Sequence, residues 1–78
     1  MPRFHFNIYN DETALDPEGV ELPDLEGANR LATESARELA AESARQGHLV
    51  LSHRIELVDE SGSVLRVVRF GEAVEIRS

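Results

Sequence analysis

The chain has 78 residues, 15 acids against eight bases, a formal net charge of −7 at pH 7, and no cysteine. This length makes a single small domain, 1–78, that buries only about 60% of its unfolded surface. Lack of cysteine excludes disulfides and thiolate metal sites, while the negative charge opposes phosphate backbones and anionic membranes.

Arg3 to Tyr9 alternates: Phe4, Phe6 and Ile8 fall on one side, Arg3, His5, Asn7 and Tyr9 on the other. That pattern predicts a half-buried strand, central in the sheet because it carries most of the aromatic mass. Asn10 to Glu18 is acidic and turn-rich, and Gly19–Leu22 is expected to return as a short strand beside the first. Asp24 then caps a helix that Gly47 stops. Between them lie about 22 residues, roughly 33 Å. Leu25, Ala28, Leu31, Ala32, Ala36, Leu39, Ala40 and Ser43 form one apolar stripe at helical spacing. Glu26, Arg30, Glu34, Arg37, Glu38 and Arg45 make the solvated face, and Gly27 costs the first turn about 1 kcal/mol.

The next strands are predicted over His48–Asp59 and Val64–Phe70, joined at Asp59-Glu60-Ser61-Gly62 with Gly62 at a positive φ. A regular register pairs Val58 with Val64, Leu57 with Leu65, Glu56 with Arg66 and Ile55 with Val67. It turns Ile55, Leu57, Leu65 and Val67 toward the helix. The tail, residues 72–76, reads equally as a helical turn or an edge strand. The fold expected is α+β: a two-layer sandwich of one long helix on a small, mainly antiparallel sheet, in the order β-(β)-α-β-β.

Chemistry-bearing patterns are sparse. The acids from Asp11 to Asp24 lack the alternating spacing and central glycine of a calcium loop. His5 and His53 fall on opposite sheet faces and cannot share one zinc ion. There is no Gly-x-Ser-x-Gly turn and no glycine-rich phosphate loop. No catalytic, cofactor or metal residue is therefore expected. The expected interface is the sheet face that the helix leaves uncovered: Tyr9, Arg54, Glu56, Val58, Val64, Arg66, Val68 and Phe70. Branched and aromatic side chains among arginines suit a protein contact. The expectation is a non-enzymatic interaction module whose partner is a protein, a second copy included, with neither nucleic acid nor membrane bound. With no apolar run near 18 residues and no secretory leader, a cytoplasmic location is expected. An antitoxin-like regulator and a small-ligand sensor are the alternatives.

Met1-Pro2-Arg3-Phe4 with Phe6, Gly19-Val20-Glu21-Leu22-Pro23-Asp24-Leu25, Ala36-Arg37-Glu38-Leu39, Asp59-Glu60-Ser61-Gly62, and Phe70 with Ala73-Val74-Glu75-Ile76 together carry a resemblance. The chain resembles a family of small uncharacterised proteins common in rhizobia and related alphaproteobacteria. Gly27 and Asn29 depart from the alanine- and arginine-rich helix start of that family. The resemblance implies no catalytic or binding residues. Leu22-Pro23-Asp24-Leu25 alone is similar to the helix start of antitoxins of the HicA–HicB type, which implies the regulatory alternative.

Overall fold

Alternation from Arg3 to Tyr9 produces the strand it predicts, β1 (Arg3–Tyr9). In the computed structural model, which describes residues 1–75 and 77, there follow β2 (Thr13–Ala14), β3 (Val20–Glu21), α1 (Leu25–Arg45), β4 (Arg54–Val58), β5 (Val64–Arg69) and α2 (Phe70–Ala73). The sheet runs β2-β1-β4-β5, with β3 also paired to β1, and every pairing is antiparallel. The architecture is thus the α+β sandwich expected, with β1 central. β3 is the short returning strand, whereas β2 lies where only turns were expected. The last two strands are shorter than predicted: His48–His53 is a loop, and Phe70 opens α2.

The helix ends are built as their residues suggest. Asp24 Oδ1 accepts from the Gly27 N–H at 2.8 Å. At the other end Gly47 has φ 100, His48 N donates to Ser43 O at 3.1 Å, and Gly47 N to Ala44 O at 3.0 Å. These two bonds satisfy carbonyls the last turn would leave orphaned. The seam on the sheet is narrower than the expected stripe. Ala28, Ala32, Ala36 and Ala40 are buried at four-residue spacing, followed by Ser43. Leu31 and Leu39 are half-buried flanks, and Leu25 is exposed. With methyl groups at four of the five buried seam positions and a small serine at the fifth, the helix backbone can sit directly on the sheet.

Two adjoining clusters make the core. Ala32, Ala36, Ala40, Ile55, Val68, Phe70 and Ala73 form one; Phe4, Ala28 and Leu57 form the other, and the half-buried Phe6 packs against both. Gly19 is held against β1 at φ 73, where a Cβ would stand 2.8 Å from the Phe4 carbonyl oxygen. No side chain fits there, which accounts for glycine at the head of the Gly-Val-Glu-Leu-Pro-Asp-Leu stretch.

The hairpin departs from its predicted register. Val58 does face Val64, but the next pairs are Leu57 with Arg66, Glu56 with Val67, Ile55 with Val68, and Arg54 with Arg69. Leu65 is an extra residue, a β-bulge. One inserted residue moves every later side chain to the opposite face. Val68 and Phe70, expected outside, are therefore core residues, 2% and 0% exposed, while Leu65 is 40% exposed. Arg66, also expected outside, shares the helix side with Leu57 but is exposed at the sheet edge. Of the tail, Phe70–Ala73 is helical; Ile76 lies outside the described residues.

Candidate interaction surface

A sheet covered on one face by a helix has three places left to bind: two edges and the second face. The β1 edge is closed by its own chain. β2 and β3 pair with either end of β1, and Asp16 fills the gap between them. Its Oδ2 accepts from Phe6 N at 3.2 Å and its Oδ1 from Gly19 N at 3.0 Å. Asp16 N donates to Asn7 Oδ1 at 2.9 Å, and His5 Nδ1 donates to the Asp16 carbonyl at 2.7 Å. Arg3 ties down the far end, donating to Glu18 O and to Glu21 Oε1, each at 2.8 Å.

The opposite edge is β5, and among the described residues no strand lies beyond it. Val64 is 52% exposed, and Leu65, Arg66 and Arg69 are exposed as well. A strand with a free side presents a row of unpaired N–H and C=O groups.

On the second face stand Tyr9, Arg54, Glu56, Val58 and Val64, as expected, together with His5, Asn7, Val67 and Arg69. Arg54 stacks 4.3 Å over the Tyr9 ring and donates through Nε to Glu56 Oε2 at 2.9 Å. Glu56 therefore pairs along its own strand and not across to Arg66. Val58 is buried, with His5 and Val64 as its cross-strand neighbours. Arg54 lies directly opposite Arg69, and each holds a glutamate, Arg69 reaching Glu72 at 3.4 Å. The bulge hid this pair, and with it Val67 and Arg69, from the sequence reading.

Two clefts are shallow and open. One, of about 540 Å³, lies at the start of α1 beside Leu22, Arg30 and Glu34. The other, of about 330 Å³, separates Leu15–Pro17 from Val58–Glu60. At its rim Asp59 closes the hairpin loop. The Ser61 hydroxyl and the Ser63 amide hold the Asp59 carboxyl below its usual range.

The histidines behave differently from their sequence reading in one respect. His48 and His53 both turn Nε2 to Asp11, at 2.9 and 3.9 Å, and His53 packs edge-on against Phe70. Asp11 thus links the β1–β2 turn to the loop after α1. Among the described residues, no group of three His, Cys, Asp or Glu side chains is arranged to hold a metal ion. No helix there is long and apolar enough to cross a membrane.

Neither a curated protein nor a solved structure matches the chain. The profile of one family matches residues 3–71, from the first residue of β1 into α2. That span holds both sheet edges and the whole α1 seam, so the chain belongs to the family described as a domain of unknown function, DUF6894.

Proposed function

We propose that this domain is a non-enzymatic protein-interaction module that takes an extended protein segment along the free β5 edge. The carrying observation is the asymmetry of the sheet. Asp16, β2 and β3 close one edge, and the other ends on six residues with Val64 and Leu65 exposed. Adding a strand satisfies the free backbone groups of β5, and side-chain neighbours then select the partner. The Leu65 bulge and the two arginines are features that discourage indiscriminate edge pairing. A ligand sensor would need a chamber between helix and sheet, and both clefts lie outside that layer. For the antitoxin alternative, the support remains Leu22-Pro23-Asp24-Leu25.

The test is a titration of the isotope-labelled chain with a ten-residue peptide of alternating valine and threonine. At roughly 1 mM peptide, even a millimolar complex is half formed. Amide shifts concentrated on residues 64–69 are expected. Shifts confined to other regions, or none, would refute the edge reading. Light scattering of the chain alone at about 100 μM separates a foreign partner from a second copy. A dimer abolished by Leu65→Asp would make the second copy the occupant.

A further inference from the structure

The arginines show what chemistry β5 would accept. Every base in the chain is an arginine, and acids outnumber them, 15 to eight. Most are already engaged: Arg3 with Glu21, Arg45 with Glu42, Arg54 with Glu56, and Arg37 with the Ala73 carbonyl at 2.6 Å. Arg30, Arg69 and Arg77 also have carboxylates in reach. Among the described residues, Arg66 alone has neither a carboxylate nor a carbonyl partner. It is exposed, and it stands midway along the open edge, opposite Leu57. Arg69, three residues further and on the opposite face, is held only by an exposed glutamate at 3.4 Å.

We infer that the occupant of the β5 edge is an acidic extended segment of another protein, with a carboxylate placed beside Arg66. This rests on the edge reading above. A strand docked there would bring its side chains within about 5 Å of those of β5, where opposite charges attract and like charges repel. A guanidinium without a partner can offer a carboxylate two parallel hydrogen bonds. A second copy does not meet this need. β5 reads Val-Leu-Arg-Val-Val-Arg, with no acid. Two copies joined at β5 would place both copies of Arg66 on the helix side and both of Arg69 on the second face, with no carboxylate from either strand. The chain's overall negative charge is no obstacle at contact distance, because physiological salt screens separations beyond about 8 Å.

The experiment uses the full chain and three ten-residue peptides, alternating valine with glutamate, with threonine or with arginine. Binding is read from the amide shifts of residues 64–69. The glutamate peptide is expected to bind about fivefold more tightly than the threonine peptide, as one exposed ion pair supplies. Arg66→Glu, at an exposed position, should reverse the order in favour of the arginine peptide while the β1 and β4 amides stay in place. Equal affinity for all three at β5 would overturn the acidic partner and leave the edge reading standing. No shift at β5 with any peptide would overturn both. A wild type that dimerises through β5 would overturn the foreign partner.

Discussion

Asp16 occupies the place of a strand where the chain leaves the sheet between β2 and β3. Its carboxylate accepts from two backbone N–H groups, on Phe6 and Gly19, and Asp16→Ala orphans both. Bonds to a charged group contribute roughly 1.5–3 kcal/mol each at most, so a loss of about 2–4 kcal/mol is expected in urea unfolding. An unchanged midpoint would show that water takes over both donors. Asp59 makes a second residue-scale case, and its sign can be worked out. The folded carboxyl is held below its ordinary value by Ser61 and Ser63. Its ionised form thus favours the fold above the unfolded pKa of about 3.9, and the gain fades as pH falls through the folded pKa. Asp59→Asn should melt below wild type at neutral pH, with the gap closing below about pH 4. A gap of equal size at pH 3 and pH 7 would rule out this contribution. The turn that Asp59 opens was legible because the contacts closing it lie two to four residues apart, although the role of the Asp59 carboxylate was not. Asp16 was not, because its partners on β1 are nine to eleven residues away, so it read as one more solvated acid.

Local signals set the helix and local ambiguity misplaced the hairpin. Asp24 and Gly47 each act within four residues of themselves, so both ends of α1 could be read in advance. After the turn, both alternating sets of β5 are apolar: Leu65 with Val67, and Val68 with Phe70. Alternation alone cannot choose between them. The core chooses, since Phe70 and Val68 fill the space under Ala32, Ala36 and Ala40 that Leu65 and Val67 leave. The consequence is specific. Deleting Leu65 removes the bulge but keeps Arg66 opposite Leu57 and Val68 opposite Ile55. That deletion should cost no more than about 1–2 kcal/mol, a typical single-site loss. Val68→Glu should instead unfold the domain, because it buries an unpaired charge. If the deletion unfolds the chain while Val68→Glu melts normally, the bulge has been misplaced. The same slip explains the site. Tyr9, Arg54, Glu56, Val58 and Val64 precede or meet the bulge and kept their face, whereas Arg66, Val68 and Phe70 follow it and changed sides.

At the scale of the molecule, arginines are present but do not add up to a basic surface. Arg54 and Arg69 face each other across β4 and β5, and Arg66 lies close by on the same edge strand. Arg54 and Arg69 each carry a glutamate, so the pair's net contribution to the local field is small. Of these three arginines, Arg66 alone lacks a carboxylate among the described residues, on a chain of net charge −7. Affinity for duplex nucleic acid grows with the number of phosphates neutralised, and proteins that hold it at physiological salt make several such contacts. One free guanidinium falls short of the several phosphate contacts that duplex binding at physiological salt needs. No retardation of a 20-base-pair duplex is therefore expected at about 150 mM salt, for DNA or RNA, and Arg66→Glu should leave that result unchanged. A micromolar dissociation constant that Arg66→Glu abolishes would mean that the β5 edge selects phosphate. The carboxylate partner inferred for it would then be the wrong anion.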